Sequence, residues 1–315
     1  MDIRIRVGDW IENFFDWLEA TLGAFFDGLA DVLDAIVGAV EWVFHTPPDW
    51  AVILVVAILA LLARGWKFAI GSAVGLLFIV SVNQWDNTVE SLALVIVAAL
   101  LAVVLAVPLG IWAARNNVVS AFVKPLMDFL QTLPAFVYLV PALALFGIGI
   151  APGVIATLIF AMAPGVRLTE LGIRGVDKEV VEAGEAFGAT PRRILRQIQI
   201  PLAMPSIMAG INQIIMLALS MVVIAGLVGA GGLGQDVSQA IASLNVGLGF
   251  EAGLSVVVLA ILLDRFTASF GKGMGLYAAW SKRRRAKRED DEQARIDAAQ
   301  ETVGGRRATG VGATA

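Results

Sequence analysis

The sequence predicts an all-α, polytopic membrane protein with about seven transmembrane helices and an amphipathic helix at its N-terminus. Of its 315 residues 58% are hydrophobic and only 16% are charged, whereas an average soluble domain has about 25% charged residues. The apolar residues occur in long runs, and no charged residue lies within 207–234. Runs of about 18 or more such residues are long enough to cross a bilayer, and buried core helices do not explain so many of them.

The predicted spans are about seven in number. They lie near residues 50–63, 66–82, 88–113, 129–147, 152–167, 205–228 and 250–268. The first two form a pair, because one helix over 50–82 would be about 50 Å long against a hydrocarbon core of about 30 Å. The interruption Arg64-Gly65-Trp66-Lys67 is therefore expected to be a tight turn between two short spans.

The basic residues predict how these spans are oriented. All but two of the 23 Lys and Arg residues lie on one side of the predicted bundle or in the C-terminal tail, and the opposite loops contain none. Basic loops face the cytoplasm in membrane proteins, so we expect the C-terminus inside and the N-terminus outside. The tail, residues 271–315, is expected to be cytoplasmic and largely disordered.

The first 49 residues form a separate element. Apolar residues recur at helical spacing from Ile11 to Val40, and acidic residues such as Asp16 and Asp31 fall on the opposite face. This pattern predicts one or two amphipathic helices that lie flat in the outer interface and pack against the bundle as a scaffold. A docking surface for an extracellular partner is the alternative interpretation of residues 1–49.

A loop on the basic side, residues 177–201, carries explicit helix signals. Asp177 is a suitable N-cap for a helix that starts at Lys178. Gly188 suits the left-handed position that follows the end of a helix. The first half of the loop is therefore predicted to be a short helix that ends in a sharp turn at Gly188-Ala189.

The second half of the same loop carries another start signal. Thr190 is expected to cap a second helix, with Pro191 at its first position, where a missing N–H group is tolerated. We expect this helix to run to about Ile200 and to stop at Pro201. Two capped helices would then protrude into the cytoplasm with a fixed shape, which favours a docking role.

The same loop reads Glu182-Ala183-Gly184, three residues, Gly188, nine residues, and then Ile198-Gln199-Ile200-Pro201. This pattern resembles the EAA motif of ABC importer permeases. It departs from the motif by Gly for the second Ala and Ile for Leu. In that family the loop is the coupling helix, which sits in a groove of the ATPase subunit. The resemblance therefore implies an ATPase-coupling role for Glu182, Ala183, Gly184, Gly188, Ala189, Ile198 and Pro201.

The similarity extends to the glycine betaine/proline betaine branch of these permeases. It is carried by the stretches 131–141, 202–210, 216–225 and 231–234. It implies a type-1 (MetI-like) permease domain over residues 88–270, with residues 50–87 adding two accessory transmembrane helices. It also implies a bacterial or archaeal plasma-membrane location and transport of quaternary ammonium osmolytes.

The same resemblance implies the partners. These are a second permease copy, two ATP-binding cassette ATPase subunits and an extracytoplasmic substrate-binding protein, all within a lipid bilayer and without nucleic acid. The sequence contains no G-x-x-x-x-G-K-[ST] phosphate-binding loop, so we expect ATP to be bound and hydrolysed by the partner. No cofactor, metal site or catalytic residue is expected in this chain, and the chain is not expected to be an enzyme.

Two further patterns are read as structural. The stretch Gly229–Gly234 satisfies G-x-G-x-x-G, but it follows a membrane span instead of a strand, so it does not predict a dinucleotide site. We expect a flexible outer loop there, at the mouth of the pathway. His45, the only histidine, is expected to be solvated at a boundary turn.

The substrate pathway offers two candidate residues and leaves alternatives open. Aromatic faces hold trimethylammonium groups, so Phe136 and Tyr138 are candidates, with packing between helices as the alternative. Another small solute, such as choline, carnitine or an amino acid, is the nearest rival substrate. An ion-coupled secondary transporter would need ionisable residues inside its spans, and Glu90, Asp128 and Asp264 lie near span ends. A membrane enzyme has no supporting cluster of residues.

Overall fold

A computed structural model describes residues 6–271, so the predicted disordered tail lies outside the described residues, apart from residue 271. Within that range the chain is helical and contains no strand, which confirms the all-α prediction. The helices are α1 (Val7–His45), α2 (Asp49–Arg64), α3 (Trp66–Ser81), α4 (Trp85–Arg115), α5 (Asn117–Thr132), α6 (Leu139–Phe146), α7 (Ile150–Arg174), α8 (Lys178–Ala186), α9 (Pro191–Ile194), α10 (Ile200–Ala225), α11 (Gly232–Ser243) and α12 (Val246–Gly271).

The centre of the bundle is formed by α4, α7 and α10, which pack closely along their lengths. Small residues make this possible. A Cβ atom on Gly165 of α7 would lie 2.4 Å from Cδ1 of Ile214 on α10 and 3.0 Å from Cβ of Ala106 on α4. Lipid tails are as apolar as the side chains, so membrane helices gain little hydrophobic free energy when they associate. Their association depends instead on van der Waals packing at such close approach.

Several helices are long and apolar enough to cross a membrane. Within residues 6–271, four helical segments meet this criterion alone: Trp85–Arg115, Ile150–Arg174, Pro191–Val228 and Val246–Ser269. Two further pairs meet it together although they are bent, α1 with α2 by 95° and α5 with α6 by 109°. The expected tight turn after α2 is present at Gly65, where φ is +94°. The shorter apolar helix α3 follows it directly.

The span predicted over 129–147 is not a single helix. α5 ends at Thr132, and a 3-10 turn, Ala135–Tyr138, precedes α6. Leu133 adopts an extended conformation with ψ of 135° because the ring of Pro134 disfavours a helical residue before it. The chain bends there, by 109° between α5 and α6.

The N-terminal segment is one continuous amphipathic helix of 39 residues. Leu33 and Val37 of α1 are buried in the main core beside residues of α4 and α7. Phe26 of α1 meets Phe146 of α6 edge to face, with 5.4 Å between ring centroids. These contacts match the scaffold interpretation, whereas the position of α1 in the membrane interface stays a prediction.

The glycine-rich stretch after α10 is only partly a loop, because α11 already begins at Gly232. A 3-10 turn, Gly226–Val228, leads through Gly231 into α11. The Gly232 N–H group donates to Oε2 of Glu90 at 2.7 Å, and the Leu233 N–H group donates to Oγ of Ser91 at 2.8 Å. The first N–H groups of a helix lack hydrogen-bond acceptors within that helix, and for α11 two side chains of α4 supply these acceptors. We call these contacts the outer clamp.

Candidate functional site

The segment 177–201 forms a hairpin, which we call the coupling hairpin, and its first half has the predicted shape. Oδ1 of Asp177 accepts the N–H group of Glu179 at 3.0 Å and so caps α8. After α8, Gly188 is left-handed with φ of +74°. The N–H groups of Gly188 and Ala189 return to carbonyls of the last turn at 2.8 and 3.1 Å. This pair of bonds is a Schellman motif, which fixes the turn.

The second half of the coupling hairpin differs from the prediction in two respects. Thr190 has the extended backbone of an N-cap, but its hydroxyl makes no capping hydrogen bond. The helix also does not stop at Pro201, because a π-helical turn, Leu195–Gln199, joins α9 to α10. Pro201 lies in the first turn of α10, where a missing N–H group is tolerated, and the wider π turn before it absorbs the change in hydrogen bonding.

The base of the hairpin is fixed to the bundle by apolar packing. A Cβ atom on Gly184 would lie 2.7 Å from Cδ1 of Ile198, so α8 rests directly on the π turn. Leu195 is buried with Ile173 of α7 and Ile207 of α10. The base of the hairpin therefore contacts both of these central helices.

The outward face of α8 carries an exposed apolar stripe that the sequence analysis missed. Phe187, which directly follows α8, has 92% of its surface exposed, and Val180 of α8 is also exposed. Val180, Ala183 and Phe187 are spaced by three and four residues, so they share one helix face. This is the spacing with which helices dock in the grooves of partner proteins. The signal was available, because Phe187 is a large apolar residue beside the predicted turn.

The inward side of α8 is polar. Glu182 lines a cavity of about 490 Å³ together with Arg115 at the end of α4 and Arg174 at the end of α7. Its carboxylate makes no salt bridge among the described residues 6–271. Basic and acidic side chains therefore share this cavity, whose lining also includes Lys178 and Glu185.

The two candidate pathway aromatics occupy different environments. Tyr138 is only 6% exposed; its hydroxyl donates to the carbonyl of Leu130, and its ring meets that of Phe160 edge to face at 5.9 Å. Phe136, two residues earlier, is 56% exposed. The geometry gives Tyr138 a packing role at the bend after α5 and leaves Phe136 as the accessible aromatic.

No group of three or more metal-ligating side chains is found in the described part of the chain. His45 lies at the end of α1 with Nδ1 3.6 Å from Oδ1 of Asp86; the Asp86 side chain is largely exposed and that of His45 is partly exposed. The hairpin itself contributes a rigid, exposed helix on a bundle of membrane length. Such an arrangement is suited to transmitting movement between a partner and the bundle.

These features are those of a membrane-spanning transport permease. Residues 106–276 match the family of binding-protein-dependent transport system inner membrane components. The chain belongs to this family of ABC importer permeases, and it is accordingly a multi-pass membrane protein.

Individual relatives and a solved structure support the assignment. The chain is 47% identical to a glycine betaine/carnitine transport permease of Listeria monocytogenes, over 85% of this chain and 96% of that protein. It is 43% identical to a glycine betaine/proline betaine transport system permease of Escherichia coli, over 85% of this chain and 76% of that protein. An inward-facing structure of the MetNI methionine ABC transporter is similar with a TM-score of 0.54 at 22% identity, covering 60% of this chain and 94% of that one. The last similarity shows that the fold is shared.

Proposed function

We propose that this chain forms the pathway of an importer for glycine betaine, proline betaine and similar quaternary ammonium solutes, and that the coupling hairpin connects the pathway to a separate ATPase. The names of the relatives support the substrate class. The exposed apolar stripe is the observation that supports the coupling role. Burial of the exposed Phe187 ring against a partner would contribute a large share of the binding free energy.

The proposed assembly contains two copies of this chain, two ATPase subunits and an extracytoplasmic binding protein, with the N-terminus outside and the C-terminus in the cytoplasm. Each chain presents one coupling hairpin, so two chains would engage two ATPases. The residues proposed to form the coupling site are those of the EAA-like motif, with Phe187 added as the apolar anchor.

In the proposed mechanism, closure of the ATPase pair displaces both coupling hairpins. Each hairpin moves as a unit because its turn is fixed by internal hydrogen bonds and Gly184 lies against Ile198. Its base packs on α7 and α10, which cross closely at Gly165. The movement therefore reaches the centre of the bundle without passing through a flexible segment.

Orientation and docking are tested together by thiol labelling, because the chain contains no Cys. A Thr190→Cys variant in vesicles should react with an impermeant maleimide only when the cytoplasmic face is accessible. Addition of the ATPase should protect it. An Asn83→Cys variant should react only from the opposite face. Labelling of Thr190→Cys from outside the cell would overturn both the orientation and the docking assignment.

The apolar anchor has its own control in the same assay. A Phe187→Ser change should remove the protection by the ATPase, because an interface anchor of this type contributes about 2 kcal/mol or more. A Leu227→Ser change removes another exposed apolar residue at the opposite end of the bundle and should leave protection unchanged. Full protection in the Phe187 variant would show that the stripe does not carry docking.

The substrate class is tested with Phe136. An aromatic face contributes about 0.5–2 kcal/mol to holding a quaternary ammonium group. Uptake of radiolabelled glycine betaine should therefore fall in Phe136→Leu but persist in Phe136→Tyr, with basal ATP hydrolysis unchanged in both. Competition by choline, carnitine and neutral amino acids ranks the alternative solutes. Unchanged uptake in Phe136→Leu would leave selectivity to the binding protein.

A further inference from the structure

Two helices on the hairpin side of the bundle, α5 and α7, face each other through a row of polar side chains. The helices run antiparallel, and the members on each helix are spaced by three or four residues, so each set lies on one face. We call this row the ionic ladder. Its members are Lys124, Asp128 and Gln131 of α5 and Arg167, Glu170 and Arg174 of α7.

The lower rung is centred on a buried carboxylate. The side chain of Glu170 is 3% exposed, and its Oε1 atom lies 2.9 Å from Nε of Arg174 and 3.3 Å from Nζ of Lys124. The hydroxyl of Ser120 also donates to it, at 2.7 Å. A buried charge is tolerated only where its partners are in place, so α5 and α7 are held in one register at this point.

The upper rung lies nearer to the bend that follows α5. Arg167 forms an ion pair with Asp128 and donates a hydrogen bond from Nη1 to Oε1 of Gln131 at 2.8 Å. These charged side chains are about half exposed, so their pairing adds little to the free energy of unfolding. The pairing instead makes the contact between α5 and α7 specific, because reversal of one charge would place like charges next to each other.

The covalent chain alone does not hold α5 against α7. α5 begins after Asn116 and ends before Leu133, and both of these residues are extended. A helix bounded by two extended residues can pivot at both ends. What holds it is the ionic ladder, together with apolar packing by Val123 and Met127, which has no comparable directional specificity.

The two ends of the ionic ladder reach the two functional regions. Arg174 lies three residues before Asp177, where the coupling hairpin begins, and its Nη2 donates to the carbonyl of Ala113 at the end of α4, at 2.8 Å. At the other end, the carbonyl of Leu130 accepts the hydroxyl of Tyr138, in the 3-10 turn that also carries Phe136. Polar contacts and helical segments thus form a continuous connection between the coupling hairpin and the 3-10 turn that carries Phe136.

We infer that the ionic ladder transmits the movement of the coupling hairpin to α5 and thereby to the turn that carries Phe136, with Asp128 and Arg167 as positioning residues. This inference rests on the proposed function. Its rival is that α10, which continues from the hairpin without a break, carries the movement alone and the ladder only stabilises the fold.

A charge swap on the upper rung separates these two mechanisms. The single variants Asp128→Arg and Arg167→Asp and the double variant that combines them are reconstituted in liposomes with the ATPase and the binding protein. The ratio of glycine betaine moved to ATP hydrolysed is measured, with melting temperature alongside. We expect the ratio to fall about fivefold or more in each single variant, as for sites with a modest coupling free energy. It should recover to within about twofold in the double variant.

A Lys67→Glu variant is the matched control, because it reverses a charge at the start of α3, outside the ladder, and should leave the ratio unchanged. Wild-type ratios in both single variants would overturn the inference while ATP-driven uptake still supports the proposed function. Low ratios in all three ladder variants would also overturn it, because the two charges would then act separately. Absence of ATP-driven uptake in the wild-type chain would overturn the proposed function and the ladder together.

Discussion

The outer clamp and the coupling hairpin lie at opposite ends of α10, and both depend on glycines that allow unusual backbone geometry. The clamp is buried and takes its hydrogen-bond acceptors from α4, 142 residues away in the sequence. The hairpin is largely exposed and makes its turn from hydrogen bonds within residues 184–189. The backbone shape of the clamp therefore depends on the rest of the bundle, whereas the shape of the hairpin turn depends on contacts within the hairpin.

This difference has consequences for how each segment responds to change. A substitution in the clamp disturbs contacts among several spans and should lower the stability of the whole protein. A substitution in the hairpin disturbs a local shape that water already surrounds, so it should spare folding and alter only what the hairpin contacts. A permease needs both properties, because the bundle must persist while the hairpin is moved.

The largest expected effect comes from Gly226→Ala in the turn that precedes α11. A Cβ atom there would lie 2.1 Å from the carbonyl carbon of Gly234 and 2.3 Å from the backbone nitrogen of Gln235. Backbone atoms cannot rotate away, so we expect a loss of about 3 kcal/mol or more. Thermal unfolding in detergent, followed by circular dichroism, should show a much lower melting temperature.

The matched control for this change is Gly253→Ala in α12, where the added methyl group meets no atom within 4 Å. Ala favours the helix over Gly by about 1 kcal/mol, so its melting temperature should be unchanged or slightly higher. Equal melting temperatures in the two variants would show that the region after α10 is not packed as described.

The sequence predicted the hairpin well and the clamp poorly, for a physical reason. Asp177, Gly188 and Pro191 act on neighbouring residues, so their effect is visible in a short stretch of sequence. The acceptors that order Gly232 and Leu233 belong to α4, and no local pattern reveals them. Glycines without a visible partner resemble a flexible loop.

Two residues, Glu170 on α7 and Phe187 directly after α8, were missed for related reasons. The predicted span ended at residue 167, which assigned Glu170 to a loop, whereas α7 continues to Arg174 and buries that carboxylate. Burial of this charge depends in part on Lys124 of α5, which is 46 residues away in the sequence. Phe187 falls among the unspecified positions of the EAA-like motif, so attention to the motif passed over its exposed ring. The bend at Leu133-Pro134 could have been predicted from the proline alone.

A smaller effect is expected from Glu90→Ala in the outer clamp. The change leaves the N–H group of Gly232 without an acceptor, at a cost of about 1–3 kcal/mol. Glu90→Gln keeps an acceptor oxygen and should lose less than half as much. If both variants have the melting temperature of the wild type, the hydrogen bond from Gly232 to Glu90 does not stabilise α11. The clamp would then not depend on this acceptor from α4.

The smallest effect on folding, with the largest effect on coupling, is expected from Gly188→Val. A β-branched residue resists the left-handed conformation that Gly188 adopts at φ of +74°, so the turn is strained by about 1–2 kcal/mol or more. The hairpin is exposed, so the strain should be relieved locally, and the melting temperature should stay near that of the wild type. Solute-stimulated ATP hydrolysis and uptake should be lost.

Gly188→Asn is the control, since Asn tolerates the left-handed region, and it should retain most of both activities. Full transport by the Val variant would show that the shape of this turn is not what the ATPase engages, whereas a large drop in its melting temperature would show that the hairpin is not independent of the bundle.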